Sequence, residues 1–262
     1  MRAQPTFMAT VLFLHSTGTL PTMYDAVPAE ALRGVTVVKP ANLGYPPNPP
    51  VARGATVTVD DDVRHVAAQL PGDGPVHVVA HSYGGLVALG LLPLLGARVA
   101  SLLLFEPVLF GALSRSAEAP PEVVAEAHAF AAHDWFLVDE ARGGGDAWLE
   151  IFIDYWNRPG SWARMPEPQK AFTRAVGWKM FQEVRAVFRD ESRFTDHRVA
   201  APLTLVKAAR SPRASRAMVD ALARVNPHAV VRDLADTGHL APLTHPPLFA
   251  AAVADHLARV LP

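Results

Sequence analysis

Six short apolar runs alternate with helical patterns along the chain, and this alternation constrains the fold more than any other feature. The runs lack the polar alternation of a half-solvated sheet, so they indicate strands buried on both faces, as in a parallel sheet. The strand candidates are Ala9–Leu14, Val35–Lys39, Val76–Ala80, Ala100–Phe105, Leu203–Lys207 and Ala229–Leu234. The helix candidates are Val59–Leu70, Gly85–Leu95, Ser215–Val225 and Pro247–Leu261. This order predicts an α/β fold with a doubly wound, mostly parallel sheet of about six strands.

The alternation stops between residues 111 and 198. This segment contains all five tryptophans and seven of the twelve phenylalanines, and its patterns are helical. Aromatic side chains often serve only as core, but their concentration in one segment indicates a helical cap packed over a pocket. We therefore predict a core formed by residues 1–110 and 199–262, with residues 111–198 inserted as a helical cap.

The charge balance and residue usage exclude several classes of protein. The net charge is −1, which argues against nucleic acid or an anionic membrane as the main partner. The chain has no cysteine, so disulfides and cysteine-held metal sites are excluded, and we predict a cytoplasmic location.

No run reaches the roughly 18–20 apolar residues of a membrane helix, so no membrane insertion is expected. The first apolar run is predicted as a strand rather than a targeting signal, and a homo-oligomer stays open.

One serine stands between an apolar strand candidate and a helix candidate. In Ala80-His81-Ser82-Tyr83-Gly84, small residues lie two positions before and two positions after this serine. That spacing fits a sharp strand-to-helix turn that exposes a nucleophilic hydroxyl. An ordinary turn that happens to contain serine would have the same sequence. Ser82 is therefore a candidate nucleophile whose role depends on what lies beside it.

Two further polar loops follow strand candidates. In "HSTG", after the first strand, the backbone N–H of Thr17 is a candidate donor to an oxyanion, together with the N–H of Tyr83. In "LADTGHLAPLTHP", His239 is the candidate general base. His245 ranks behind it, because Thr-His-Pro-Pro is typical of a helix start. The carboxyl ends of parallel strands meet at one edge of a sheet, which is where ligands bind.

Together these motifs resemble the α/β-hydrolase superfamily over nearly the whole chain. "HSTG" corresponds to that family's His-Gly-x-x loop, "AHSYGG" to its nucleophile elbow, and "TGHLAPLTHP" to its Gly-His segment before the last helix. The resemblance implies a core sheet without the family's first two strands, and a helical cap inserted after the sixth strand of the full family sheet. It also implies a serine hydrolase of the esterase type.

The acid that would orient His239 is missing from its usual place in the family. The loop after the next-to-last strand, "ARSPRASRA", contains no carboxylate. Glu106 follows the strand after the nucleophile directly, and its "LFEP" setting looks like that of haloalkane dehalogenases, which carry their acid there. An ionised glutamate at the end of a buried strand needs a partner, and a histidine N–H supplies one. A glutamate capping a solvent-exposed turn is the alternative. Asp236 lies too close to His239 in sequence to orient it.

These residues predict a serine hydrolase that cleaves an ester of a small to medium, partly apolar substrate through an acyl-enzyme. The predicted catalytic residues are Ser82, His239 and Glu106, and the pocket is predicted to include His15, Ser16, Trp135 and Trp156. No cofactor and no metal are expected, since no H-E-x-x-H or related spacing is present.

Other functions remain open from the sequence. Haloalkane dehalogenases and epoxide hydrolases of this fold attack with aspartate, so Ser82 argues against both. A carbon–carbon bond hydrolase or a cofactor-free haloperoxidase-like enzyme would use the same three residues. A non-catalytic ligand receptor on the same scaffold is the alternative of a different class.

Overall fold

In the computed structural model, which describes residues 8–261, six strands form one sheet with all five pairings parallel. The strand order is β2-β1-β3-β4-β5-β6. The strands are β1 (Thr10–Leu14), β2 (Thr36–Val38), β3 (Val76–His81), β4 (Val99–Phe105), β5 (Leu203–Ala208) and β6 (Val230–Leu234). The predicted fold class is therefore confirmed. Residues 1–7 and 262, which belong to the predicted core range, lie outside the described residues.

Ten α-helices connect and cover the strands among residues 8–261. They are α1 (Val59–Ala67), α2 (Tyr83–Leu95), α3 (Phe110–Ser114), α4 (Pro121–Phe130), α5 (Asp146–Trp156), α6 (Ser161–Arg164), α7 (Glu167–Arg189), α8 (Arg213–Val225), α9 (Ala241–Thr244) and α10 (Pro246–Val260). All four predicted helices are present. Helix α2 begins two residues earlier than predicted, immediately after Ser82.

Each strand places alternate side chains on opposite faces of the sheet, and both faces are buried. In β1, Leu12 and Leu14 join the core cluster under α1, α2 and α8, whereas Val11 and Phe13 join the cluster under α10. Because both faces are covered, the strands read as continuous apolar runs. The two edge strands leave valines exposed, Val37 in β2 and both Val230 and Val231 in β6.

Five helices, α3 to α7, lie between β4 and β5 in the chain, where the sequence predicts the cap. Many aromatic side chains in this part of the chain, here called the helical segment, pack on one another; the Phe136, Trp148 and Phe152 rings, for example, form a stack with centroids 5.1 and 5.3 Å apart. Most of these aromatics therefore build the core of the helical segment. The division of the chain at residues 111 and 198 stays a prediction.

Among residues 8–261, no helix combines the length and the apolar character that crossing a membrane would require. The cytoplasmic location and the homo-oligomer stay predictions.

A buried histidine links β4, β5 and α10 at the amino edge of the sheet, opposite the end where Ser82 lies. His256 is 3.1 Å from Ser101 Oγ through Nε2 and 2.8 Å from Thr204 Oγ1 through Nδ1. Arg259 also donates to Thr204 Oγ1, at 2.8 Å. Burial, followed by the nearby positive charge of Arg259, lowers the pKa of His256 from 6.5 to about 4.

We expect the free energy of unfolding to decrease as the pH falls from 6.5 towards 4, and His256 to account for part of the slope. In this window the unfolded chain binds a proton at His256 and the folded chain does not, so acid favours unfolding by up to about 3 kcal/mol at this site. Urea unfolding at several pH values checks this, with His256→Gln as the comparison. A variant with the same pH slope as the wild type would contradict it.

Candidate active site

Ser82 occupies a strained turn between β3 and α2. Its φ of 55° and ψ of −119° are unusual for a residue with a side chain, and such strain persists only where the surroundings hold it. Here the Ser82 N–H donates to the carbonyl of Phe105 at 3.0 Å, and the Gly85 N–H donates to the carbonyl of Ser82 at 2.9 Å. The backbone therefore fixes the turn from both sides.

The two glycines after Ser82 permit close packing rather than a flexible turn. A Cβ atom at position 84 would lie 2.4 Å from the carbonyl oxygen of Leu14, at the end of β1. A Cβ atom at position 85 would lie 2.5 Å from Cβ of Pro107. Only glycine therefore lets the start of α2 pack between the loop after β1 and the loop after β4.

Three predicted residues meet at the carboxyl edge of the sheet. Nε2 of His239 lies 2.9 Å from Ser82 Oγ, and Nδ1 lies 2.7 Å from Glu106 Oε2. All three side chains are buried, with Glu106 fully so. The contact between Glu106 and His239 that the sequence predicted is present. Through it a hydroxyl, an imidazole and a carboxyl form one hydrogen-bonded chain.

Two further groups, one from β5 and one from the loop after it, donate hydrogen bonds to the Glu106 carboxylate. The Ala208 N–H donates to Oε1 at 2.8 Å, and the Ser211 hydroxyl donates to Oε2 at 2.7 Å. Ser211 lies in the loop where the resemblance expects the acid. That loop thus supplies a hydroxyl that binds the acid instead of supplying the acid. With the histidine N–H, three donors offset the cost of burying this carboxylate.

His81, which precedes the nucleophile, contacts His239 directly. Its Nε2–H donates to the backbone carbonyl of His239 at 2.9 Å, and the two rings lie 4.8 Å apart. Burial, followed by the nearby His239, lowers the pKa of His81 well below its usual value, so the ring stays neutral and keeps one fixed donor. The sequence motif alone did not identify this contact.

The candidate oxyanion donors lie on either side of Ser82. Tyr83 is the first residue of α2, where backbone N–H groups have no partner within the helix. Thr17 lies in the tight turn that the Thr19 N–H closes on the carbonyl of Ser16, at 3.2 Å. Neither the Thr17 nor the Tyr83 N–H donates a hydrogen bond within residues 8–261, so both can serve a ligand.

Residues 11–252, which include every residue of this site, match the Alpha/beta hydrolase family. The chain belongs to this family. No protein with a curated description matches the chain.

Several solved structures of hydrolases are similar to it. An enol-lactonase from Burkholderia xenovorans has 14% identity and a TM-score of 0.67, with 98% of this chain and 94% of that chain covered. A thermophilic esterase from Thermogutta terrifontis has 19% identity and a TM-score of 0.65, with 97% and 91% covered. A structure described among epoxide hydrolases from hot-environment metagenomes has 18% identity and a TM-score of 0.67, with 97% and 92% covered. At these identities the likeness is one of fold.

A cavity of about 810 Å³ opens beside Ser82 and His239 in this α/β-hydrolase. Most of its apolar wall comes from the helical segment and the segment after His239: Phe152, Trp156, Met165, Phe172, Leu240 and Leu243. Two exposed arginines, Arg158 and Arg164, are also part of the wall. No Asp or Glu side chain of the described residues lines it.

Two of the four predicted pocket residues, Ser16 and Trp156, line this cavity, and the structure corrects the other two. His15 is buried behind the loop: its Nε2 accepts from the Asn42 N–H at 2.9 Å, and its Nδ1–H donates to the Ser16 carbonyl at 3.0 Å. Burial lowers the pKa of His15 to about 4. Trp135 packs against the guanidinium of Arg142, 5.2 Å from its ring. Neither side chain lines the cavity.

Trp156 lies directly over the histidine of the site. Its ring stacks on His239 with centroids 3.8 Å apart and an interplanar angle of 24°. The last residue of α5 thus covers one face of the imidazole. The His81 ring also contacts the imidazole, with centroids 4.8 Å apart and an interplanar angle of 45°. The helical segment is therefore in contact with the hydrogen-bonded chain of Ser82, His239 and Glu106.

Proposed function

We propose that this α/β-hydrolase is a serine hydrolase that cleaves esters of small to medium, partly apolar substrates through an acyl-enzyme. The observation that carries the proposal is the hydrogen-bonded chain from Ser82 Oγ through His239 to Glu106, at 2.9 and 2.7 Å, beside a cavity. Nucleophile, base and orienting acid in this order are the arrangement that acyl transfer by serine requires.

In the proposed reaction, Ser82 Oγ attacks the acyl carbon while its proton passes to His239 Nε2. The N–H groups of Thr17 and Tyr83 stabilise the negative charge on the former carbonyl oxygen. His239 then gives the proton to the leaving alkoxide, the ester C–O bond breaks, and the acyl group remains on Ser82. Water, deprotonated by His239, attacks the acyl carbon; the bond to Ser82 Oγ breaks, His239 returns the proton to Oγ, and the acid leaves. Glu106 holds the imidazole in one tautomer throughout.

The cavity indicates which substrates to test. Its aromatic and aliphatic wall suits an apolar acyl or alcohol portion, and Arg158 and Arg164 can bind a carboxylate at a distance from the reacting carbon. The similar structures named as an esterase and an enol-lactonase make esters and lactones the first classes to examine.

Steady-state kinetics on a panel of substrates tests the proposal. The panel contains p-nitrophenyl butyrate, the p-nitrophenyl monoester of succinate, a simple lactone, an epoxide and a haloalkane. We expect turnover of at least one ester or lactone and none of the epoxide or haloalkane. Turnover of the epoxide or haloalkane with no ester or lactone hydrolysed would contradict it. Binding of an ester without turnover would favour the ligand receptor.

The stacking of Trp156 on His239 gives a prediction for the cap. An indole face next to the imidazole stabilises the imidazolium that forms in the transition state, by about 1–2 kcal/mol when desolvated. We expect Trp156→Leu to lower kcat about tenfold and Trp156→Phe, which keeps a ring there, to lower it less. Steady-state kinetics measure both, with Phe172→Leu as a control that changes a ring of the cavity wall that packs on neither Trp156 nor His239 and so acts mainly on KM. A kcat unchanged in Trp156→Leu would refute this role.

A further inference from the structure

A buried network of charged and phenolic side chains lies beneath the loop that carries Thr17, and the proposed reaction does not use it. Nζ of Lys179 lies 2.6 Å from Asp62 Oδ2 and 2.8 Å from Glu183 Oε1, and all three side chains are buried. Ionic groups at this depth cost desolvation energy that apolar side chains of similar shape would not. The network, here called the Lys179 network, comprises Tyr45, Asp62, Tyr83, Lys179 and Glu183.

One end of the Lys179 network holds the loop directly. The Gly18 N–H donates to the hydroxyl of Tyr45 at 2.9 Å, and that hydroxyl donates to Glu183 Oε2 at 2.9 Å. Gly18 follows Thr17, whose N–H is one proposed oxyanion donor, and adopts a φ of +72° that favours glycine. The phenol therefore fixes the peptide unit next to this donor from beneath.

The other end of the network holds the residue that supplies the second donor. The Tyr83 hydroxyl donates to Asp62 Oδ2 at 2.7 Å, and the Lys179 ammonium lies 5.1 Å from the centroid of the Tyr83 ring. The two proposed oxyanion donors are thus both connected to Lys179. Since Lys179 and Glu183 belong to α7, a helix of the cap supports both sides of the site.

The network holds a positive charge beneath the loop. Burial raises the pKa of Glu183 against the opposing effect of Lys179. Burial alone would lower the pKa of Lys179, but the carboxyl groups of Glu183 and Asp62 outweigh it and raise the pKa. The ammonium therefore stays charged between the two carboxyl groups and offsets part of their negative charge beneath the loop.

We propose that Tyr45, Glu183 and Lys179 are positioning residues that align the Thr17 and Tyr83 N–H groups for the oxyanion, so that cap helix α7 contributes to the rate of the reaction. This inference rests on the proposed serine-hydrolase function. A network that only fastens the cap to the core would affect stability and leave catalysis by the folded protein unchanged.

Tyr45→Phe tests the inference, because it removes the hydroxyl that accepts from the Gly18 N–H and donates to Glu183. We expect kcat for the best ester to fall about tenfold, a fraction of the 10²–10³-fold that loss of a whole oxyanion donor costs. KM should change little, because the ground-state carbonyl gains less from these donors than the oxyanion does. Inhibition by a trifluoromethyl ketone, whose adduct with Ser82 carries an oxyanion, should weaken by a similar factor.

Ser101→Ala is the control. Ser101 is a buried residue at the amino edge of the sheet whose hydroxyl contacts His77 and His256, so the change deletes a buried hydroxyl without touching the Lys179 network or the loops beside Ser82. We expect it to leave kcat within about twofold of the wild type. Glu183→Gln is the second variant. If Tyr45→Phe does not fold, kcat and ketone inhibition of Glu183→Gln test the inference instead. This variant keeps the shape of the side chain but places an amide where Lys179 and Tyr45 need two acceptor oxygens.

A loss in kcat and in ketone affinity in Tyr45→Phe, with kcat of Ser101→Ala unaffected, supports the inference. A folded Tyr45→Phe with the kcat of the wild type, or an equal loss in Ser101→Ala, overturns it and leaves the serine hydrolase standing. A wild type that neither hydrolyses esters nor reacts with a fluorophosphonate overturns the proposed function itself. The two failures are therefore distinguishable.

Discussion

Ester hydrolysis by Ser82→Ala is expected to fall about 10⁵–10⁶-fold, close to the loss that serine hydrolases suffer when the nucleophile is removed. The cavity, the oxyanion donors and His239 all remain, so substrate still binds, but no hydroxyl lies 2.9 Å from Nε2 to form the acyl-enzyme. The small residual rate would come from binding and from the oxyanion donors. Steady-state and single-turnover kinetics with the best ester of the panel measure the loss.

The matched control for this loss is Ser101→Ala. Ser101 is a buried serine at the amino edge of the sheet, where it contacts His77 and His256. We expect it to change the free energy of unfolding and to leave kcat near that of the wild type. Ester hydrolysis by folded Ser82→Ala within tenfold of the wild-type rate would mean that another group performs the reaction.

Glu106→Gln is expected to lower kcat/KM about 10³–10⁴-fold, as in other triads whose acid is replaced by its amide. The carboxylate accepts from three donors, with Oε1 facing the Ala208 N–H and Oε2 facing both His239 Nδ1 and Ser211. The single carbonyl oxygen of glutamine cannot serve both sides. If it faces Ala208, its NH₂ group faces Nδ1 and favours the tautomer with the proton on Nε2, which cannot accept a proton from Ser82.

Asp236→Asn tests whether Asp236, rather than Glu106, is the acid that orients His239. Asp236 is the carboxylate nearest in sequence to His239, but its side chain is exposed and pairs with Arg210 at 2.7 Å. We expect kcat/KM of this variant to stay within about twofold of the wild type. Near-normal activity in Glu106→Gln combined with a large loss in Asp236→Asn would show that the orienting acid has been misassigned.

The sheet and the meeting of Ser82, His239 and Glu106 were predictable, because apolar runs define parallel strands and the residues after such strands converge at one edge. Glu106 follows β4 directly and Ser82 follows β3, so the order of the strands brings them close. The supporting contacts were not predictable. Ser211 donates to Glu106 across 105 positions of the chain, and Lys179 contacts Asp62 across 117. Such pairs depend on how separate helices pack.

The position of each aromatic side chain within the helical segment was also not predictable from the sequence. Their number indicated a cap, but periodicity alone does not tell which side of a cap helix faces the cavity. Trp156 stacks on His239, whereas Trp148 is fully buried between Phe136 and Phe152, and Trp135 lies against Arg142. For Trp148 and Trp156 the distinction comes from how α5 packs against the neighbouring helices, which leaves its last residue in contact with His239.

Labelling with a fluorophosphonate at neutral pH tests the proposed nucleophile directly, since the reagent phosphorylates a serine only when a base and an oxyanion site activate it. Intact mass measurement followed by peptide mapping identifies the modified residue. We expect one adduct per chain, on Ser82, formed much more slowly in Glu106→Gln and absent in Ser82→Ala. A wild type that stays unlabelled, or an adduct on another residue, would contradict it.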